Sequence, residues 1–395
     1  MTTGPATAER ALRTAAPYAL LDALRDVLTR HYRVRTAELL LADYSLTVLQ
    51  RVTDLPLTAA PVSVHTSAPG RAFGSQQPFA ETGPDRTLLH LPVTVRGDRL
   101  GVLSLDLDPG HPAPELRDEL LEIAEMLGHQ MVVAERDTDL YLQARRKDRL
   151  TLAAEMQWQL LPARACAREE YAIGAQLEPA YAIHGDNFDW SATEDRLTLT
   201  ITNGMGEGID ASLLTNLAVN ALRNARRAGI GIADQAALAD QAVYAQHRGE
   251  AHLSVLLLEF HLDTGLVEVV DAGSPQLHRL RAGAVEHVPF EAQLPLGLAD
   301  DTPYEAQHVE VRPGDRLIFV SDGVHAVASR AGEIYGKAAL ARAIQSTRLL
   351  PAAEVPRAIL TELAVHRDDD PQDDALIVCL DWYGRPAAAG EADSG

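Results

Sequence analysis

Residues 316–324 read Arg316-Leu317-Ile318-Phe319-Val320-Ser321-Asp322-Gly323-Val324. The apolar run Leu317–Val320 predicts a buried strand, and Ser321-Asp322-Gly323 follows it at once. Two further acidic sites flank strands in the same half of the chain. One is Gly185-Asp186-Asn187-Phe188-Asp189, and the other is Asp373-Asp374, immediately before the strand Ala375–Leu380. An aspartate at a strand end, beside a glycine, can aim its oxygens at a shared point in a cleft. Hard divalent ions need such oxygens, and Mg²⁺ or Mn²⁺ takes one or two carboxylates plus waters. Two ions sharing a water lower its pKa and supply a nucleophile for phosphate ester hydrolysis. Each site alone is ordinary turn or strand-start chemistry. Their joint occurrence, in this order, favours the metal reading.

Around these sites the second half alternates strands with Gly/Asp turns. Strands are predicted at Tyr171–Leu177, Leu197–Thr202, His252–His261, Leu266–Asp271, Gln276–Leu280, His308–Val311 and Arg316–Val320. Helices are predicted at Asp210–Arg227, Ile232–Gln246, Gly336–Ser346 and Ala352–Val365. Strand groups with helices between them, lacking a strict βαβ rhythm, favour an α+β layered sandwich over a parallel sheet.

The first half reads differently. Residues 1–16 are rich in Ala and Thr and are expected to be loose. A helix follows from Tyr18 to His31, then strands at Glu38–Leu41 and Ser45–Arg51. Leu88–Arg96 and Arg99–Asp106 straddle Gly97-Asp98 and read as a hairpin. From Pro114 to Leu161 apolar residues recur at three- and four-residue steps, which predicts a long helical connector broken at most once, near Gly128 or Asp137. Such a seam pairs readily with a partner helix, so a homodimer through the connector is expected. The expected organisation is a loose terminus (1–16), an N-terminal domain (17–112, its last helix running on to about 137), the connector (113–162), a C-terminal domain (163–384) and a disordered tail (385–395). No internal repeat is seen.

Composition narrows the function classes. Of 395 residues, 46% are hydrophobic and 23% charged, which excludes a low-complexity disordered chain. The formal net charge of −21 disfavours phosphate backbones and anionic membrane surfaces as partners. Strand-like apolar runs such as Val255–Leu258 are far short of the roughly 20 residues of a membrane helix. Two cysteines, Cys166 and Cys379, stand far apart in no motif, which excludes a zinc-thiolate site or disulfide scaffold. With no apolar signal core beside Glu9, Arg10 and Arg13, a cytoplasmic protein is expected.

Residues 150–383 resemble the SpoIIE-type branch of the metal-dependent Ser/Thr protein phosphatases, the PPM or protein phosphatase 2C fold. Glu155-Met156-Gln157 with Leu160-Leu161-Pro162 resembles the family's opening helix. Ile183-His184-Gly185-Asp186-Asn187-Phe188-Asp189 resembles Val-Gly-Gly-Asp-x-Tyr-Asp. Asn203-Gly204-Met205-Gly206-Glu207-Gly208 resembles Asp-Val-Ser-Gly-His/Lys-Gly, and Asp271-Ala272-Gly273-Ser274-Pro275 resembles Asn-Ala-Gly-His-Pro. Leu294-Pro295-Leu296-Gly297, Ser321-Asp322-Gly323-Val324, Glu333-Ile334-Tyr335-Gly336 and Gln372-Asp373-Asp374-Ala375 complete the series. The resemblance implies an α-β-β-α sandwich whose end holds two Mn²⁺ or Mg²⁺ ions. It places Asp186, Asp322 and Asp373 as catalytic, metal-holding residues, with Asn203 and the Gly204 backbone oxygen as further metal positions. It also implies a phosphoserine or phosphothreonine on a STAS-type anti-anti-sigma partner, in sigma-factor regulation.

Two departures bear on that implication. Asn203 stands where the family has the aspartate that bridges both ions. Its amide offers one carbonyl oxygen and no charge, and its NH₂ cannot ligate. A charge lost at about 4 Å from a dication, at an effective dielectric of about 20, is worth several kcal/mol before screening, or about two decades or more of affinity. Glu207 replaces a His or Lys expected near the incoming phosphate. Three readings stand open: an active phosphatase with one ion or a weakened or rearranged pair, to which Glu207 could supply a replacement ligand; a pseudophosphatase that binds its partner without turnover; and partial deamidation of Asn203-Gly204 to aspartate.

Residues 17–137 resemble a GAF-type α/β sensory domain through Leu88–Val95 and Arg99–Leu105 with their flanking helices. His65, His90, His111 and His129 are scattered and read as surface or packing residues.

Overall fold

The computed structural model describes residues 4–52, 60–179, 181, 185–367 and 373–385. The chain divides into two compact units, Met1–Arg149 and Leu150–Gly395.

The first unit contains α1 (Gly4–Thr14), α2 (Leu20–Tyr32), β1 (Thr36–Ala42), β2 (Val48–Arg51), β3 (Val62–Ser63), α3 (Ala68–Ser75), β4 (Phe79–Thr82), β5 (Thr87–Val95), β6 (Asp98–Leu107), α4 (Pro114–Ala134) and α5 (Leu140–Ala144). The strands form one antiparallel sheet in the order β3-β2-β1-β6-β5-β4. The two-residue period of β1 sends Leu39 and Leu41 into the core with α1, α2 and α4, and Leu40 and Ala42 into the core with α3. The β5–β6 hairpin turns on Arg96 and Gly97, both at positive φ, one residue earlier than the sequence suggested.

Three expectations for this half are corrected. Residues 4–14 are not loose: they form α1, with Ala8 and Leu12 buried. The connector is not one long helix. It leaves helix after Ala134, around Asp137, one of the two expected break points; it resumes over Leu140–Ala144, and leaves a second time until Leu152, which was not expected. Gly128 does not break it; a side chain there would stand 3.0 Å from the Thr94 carbonyl oxygen, so glycine lets α4 lie close on the sheet. The connector's apolar seam is also not free for a partner helix. Leu120, Ile123, Ala124, Leu127 and Met131 are buried in the core of their own unit. Tyr141 is buried too, and its hydroxyl donates to the Pro17 carbonyl at 2.8 Å.

The second unit contains α6 (Leu152–Leu160), β7 (Ala165–Ala167), β8 (Tyr171–Glu178), β9 (Asn187–Ala192), β10 (Arg196–Gly204), α7 (Gly208–Arg227), α8 (Ile232–His247), β11 (Leu253–His261), β12 (Leu266–Ala272), β13 (Gln276–Arg281), β14 (Ala284–Val288), β15 (Gln307–Glu310), β16 (Arg316–Val320), α9 (Asp322–His325), α10 (Ala339–Ser346), α11 (Val355–Arg367) and β17 (Ala375–Trp382). Its strands form a five-stranded sheet, β15-β12-β11-β10-β9, and a six-stranded sheet, β14-β13-β16-β17-β8-β7. All named pairings are antiparallel.

The strand period explains the layers. In β11, Val255 and Leu257 face α7 and α8, in a core with Leu214, Leu222 and Val243. Phe260 faces the other way and stacks on Trp382 of β17, ring centroids 5.8 Å apart, joining the two sheets. Ile318 and Val320 of β16 meet Ile344 and Ile359 on α10 and α11. The result is the α-β-β-α sandwich expected from the sequence. Arg385, assigned in sequence to a loose tail, donates to the Glu194 carbonyl at 2.6 Å; the tail from 386 lies outside the described residues. Among the described residues, no helix is long and apolar enough to cross a membrane.

Candidate metal and active site

The candidate site lies where strand ends of the two sheets meet. β16 and β17 are neighbours near the middle of the six-stranded sheet. Asp322 follows β16 after Ser321 alone, and Asp373-Asp374 directly precedes β17. Their antiparallel pairing brings both to one end. Gly323 makes this contact possible: a side chain there would lie 1.8 Å from the Asp374 carbonyl oxygen. The Asp-Gly pair is thus a close-packing device as well as a strand end.

The five-stranded sheet contributes Asp186, just before β9, and Asn203, near the end of β10 opposite Ser254. Asp374 clamps the two sheets together. Its side chain is buried, and its Oδ2 accepts the Gly185 N–H at 2.8 Å and the Asp186 N–H at 3.2 Å. Gln157 of α6 holds the same segment, its Nε2 donating to the Asp186 carbonyl at 2.6 Å. Thr215 of α7 donates to the Gly185 carbonyl at 2.7 Å. Gly185 has φ of +132°, and a side chain on it would come 3.1 Å from the Gly204 carbonyl oxygen. Ile183 and His184 of the same motif lie outside the described residues.

The electrostatics of Asp186 are lopsided. It is 3% exposed, and its Oδ2 is buried with no hydrogen-bond partner. Burial, and then the charge of Asp374, pushes its carboxyl well above the usual range; a hydrogen bond with Ser321 opposes this, and Asp322 and Asp373 add to it. Every charge named there is a carboxylate. Asp189, three residues on, is neutralised instead by Arg223 at 2.8 Å and Arg226 at 3.1 Å. Buried carboxylates crowded without a cation demand a proton or a metal. The donor set around Asp186 therefore fits a hard divalent ion.

The Asn203 side fits less well. The Asn203 Nδ2 donates to Asp322 Oδ1 in a close contact, and to Ser274 Oγ at 3.1 Å. The Gly323 N–H donates to the same Asp322 oxygen at 2.9 Å. One oxygen of Asp322, Oδ1, is thus satisfied by N–H donors. Among the described residues, Asp186, Asp322 and Asp373 do not bring three ligand atoms all within 4.8 Å of one another; two carboxylate oxygens of Glu259 and Glu268 and a ring nitrogen of His261, on β11 and β12, do so, and there Arg196 already neutralises Glu259. The sequence trio is therefore gathered at one end, within electrostatic reach of Asp186, without being a closed ligand set. Glu207, a replacement ligand in one of the open readings, is exposed at the start of α7.

Asp374, Ser321 and Gln157 bond to the Gly185-Asp186 segment and were not included in the site assignment from sequence. Their signals were the second residue of the Asp pair, the serine before Asp322, and a buried glutamine in an otherwise apolar helical stripe.

Residues 193–383 match the family model described as Stage II sporulation protein E (SpoIIE). Residues 193–383 are a SpoIIE domain. Over 264 residues the chain is 23% identical to the phosphoserine phosphatase RsbU of Bacillus subtilis (strain 168), covering 67% of this chain and 78% of that one. Among solved structures, similarity extends to the PP2C phosphatase domain and regulatory fragment of SpoIIE from Bacillus subtilis (19% identity, TM-score 0.48, 53% of this chain and 63% of that one). It extends also to the RsbU and RsbW domains of Rv1364c from Mycobacterium tuberculosis (22% identity, TM-score 0.47, 55% of this chain and 63% of that one). The chain thus spans less than two thirds of either solved chain. The SpoIIE match spans the motifs read from Asn203 to Ala375; those at Glu155–Pro162 and Ile183–Asp189 precede it.

One titrating group on β12 gives a direct expectation. Asp271, 9% exposed at the end of β12, is raised to about 6 by burial, against an opposing hydrogen bond from the Gly273 N–H. Unfolded, such a carboxyl titrates near 3.8. The folded state therefore binds more protons between these values, and this group's stability contribution falls as pH rises from about 4 to about 6. His278, buried and lowered to about 4, acts in the opposite sense. Asp271→Asn should remove only the first slope. Urea unfolding of both proteins between pH 4 and 7 should show the variant gaining stability over wild type with rising pH; parallel curves would show that Asp271 ionises freely in the fold.

Proposed function

We propose that the SpoIIE domain hydrolyses phosphoserine or phosphothreonine on a regulatory protein partner, with Mn²⁺ or Mg²⁺. The carrying observation is Asp186: a buried carboxylate with an unpartnered oxygen, among Asp322, Asp373 and Asp374, at the end of a two-sheet sandwich. Asp186, Asp373 and Asp322 would hold the ion. A divalent ion in such a site lowers the pKa of water and draws charge from a phosphoryl oxygen. The chain's own residues supply the frame. Asp374 fixes the Gly185-Asp186 backbone, Gln157 restrains it from α6, and Ser321 shares a hydrogen bond with Asp186. The likeness to a phosphoserine phosphatase supports the substrate chemistry; the partner on this reading is the STAS-type anti-anti-sigma protein that the sequence resemblance implies. The first unit, a six-stranded antiparallel sheet with helices on both faces, is a GAF-like sensory domain on this reading. The protein acts in the cytoplasm.

A second reading, binding without turnover, is favoured by one contact: the Asn203 amide donating to Asp322. The full chain, given a phosphoserine STAS protein and Mn²⁺, should release inorganic phosphate; EDTA should stop the release and added Mn²⁺ should restore it. Retention of the phosphoprotein with no phosphate released, at millimolar Mn²⁺, would select the second reading.

A further inference from the structure

We propose that the Asn203 side-chain amide stands in for a cation at Asp322, so that uptake of a divalent ion there requires the amide to let go. This rests on the reading of the cleft as a cation site, and concerns how this chain departs from its family there.

The geometry divides the cleft into a satisfied side and an unsatisfied one. On the satisfied side, Asn203 Nδ2 donates to Asp322 Oδ1 and, at 3.1 Å, to Ser274 Oγ. The Gly323 N–H is a second donor, at 2.9 Å, to the same Asp322 oxygen. On the unsatisfied side, Asp186 Oδ2 is buried with no donor. The only atom Asn203 could offer a cation is its carbonyl oxygen. Turning the amide over would bring that oxygen against the Asp322 carboxylate, two acceptors in contact, unless a cation lay between them. A cation shared by Asp322 Oδ1 and the Asn203 carbonyl oxygen therefore excludes that hydrogen bond. Backbone freedom does not rescue the arrangement, because Asn203 is fixed in the β10–β11 ladder opposite Ser254. In this protein the amide thus quiets Asp322 in the absence of metal and competes with metal for it.

Two variants separate this role from that of an ordinary ligand. Asn203→Ala removes the donor and adds no charge. If the amide competes with the ion, the alanine variant binds Mn²⁺ more tightly than wild type, by about ten- to hundredfold, the equilibrium worth of one hydrogen bond to a charged acceptor. If Asn203 instead ligates through its oxygen, the same variant binds more weakly. Asn203→Asp replaces a donor with a second carboxylate. It should melt below wild type without metal, through like-charge repulsion, and bind Mn²⁺ at least about 100-fold more tightly. The measurement is Mn²⁺ titration by calorimetry on the full chain, with thermal melting in EDTA alongside. Unchanged or weaker Mn²⁺ binding by Asn203→Ala overturns the proposal, even if Asn203→Asp gains affinity. No phosphoprotein is present, so absence of phosphatase turnover would fail the functional reading without touching this result.

Discussion

Asp322→Ala is expected to lower phosphate release by about 10²–10³-fold while leaving the domain folded. That range is typical for deleting one fixed electrostatic group that stabilises a reacting centre. Asp322 is placed for such a role by β16, which delivers it to the cleft, and by Gly323, which lets it pack against the Asp374 backbone. Its loss should cost little stability. Asn203 keeps its bond to Ser274, and removing one carboxylate relieves part of the repulsion that raises Asp186. A change of about 1 kcal/mol, or roughly 2–4 °C in Tm for a domain of this size, is the expected limit. The check is kcat/KM with Mn²⁺ in excess, beside a melting curve. Turnover that survives the substitution would remove Asp322 from the machinery and point to a contaminant or another site. A melting point lowered by about 10 °C would instead make Asp322 part of the fold's frame.

The sandwich was legible because its strands announce themselves twice. Leu317–Val320 and Ala375–Leu380 are apolar runs, and each borders an aspartate that cannot be buried without reason. The connector misled for a physical cause. Its charged stretch carries no Gly or Pro, so periodicity runs on without a stop signal. The chain nevertheless leaves the helix, because Tyr141 and Ala144 are drawn into the first unit, with the Tyr141 hydroxyl on Pro17 and the Ala144 carbonyl on Gln50. Tertiary packing overrode local preference there. The N-terminal segment misled for the opposite cause. Its Ala- and Thr-rich composition looks weak, yet small residues suit a helix pressed closely on α2 and α4, and Ala8 is fully buried.

The site was legible in membership and not in bonding. Asp186, Asp322 and Asp373 could be chosen by position alone. That Asp374 is the buried clamp could not, since either residue of an Asp pair can turn inward and only the register of β17 with β8 decides. Nor could sequence say which way the Asn203 amide faces. Its orientation is set by Ser274, across the sheet on the segment after β12, where the family pattern has a histidine. Asn203 and Ser274 differ from that pattern together, and the structure shows them bonded to each other.

Arg316→Met is expected to destabilise the second unit by about 3–5 kcal/mol, the range for leaving a buried charge without its partner. Arg316 opens β16 opposite Asp381 of β17, and the two meet through paired bonds of 2.6 and 2.8 Å. Its other N–H groups reach the carbonyls of Thr347 and Leu350 at 2.8 and 2.7 Å. One guanidinium therefore ties the sheet to the end of α10, and at 7% exposure it does so largely away from water. Methionine fills the volume and supplies no donor, so Asp381 and two carbonyls lose their partners at once. Arg316→Lys should fail nearly as badly, because an ammonium cannot make the two-pronged bond and reach both carbonyls. Arg316→Met with Asp381→Leu should recover most of the loss, since two apolar residues in the same space bury no unpaired charge. Urea unfolding of the three variants measures each of these. If Arg316→Met costs less than about 1 kcal/mol, the pair behaves as an exposed ion pair and the link from β16 to α10 is held by packing alone.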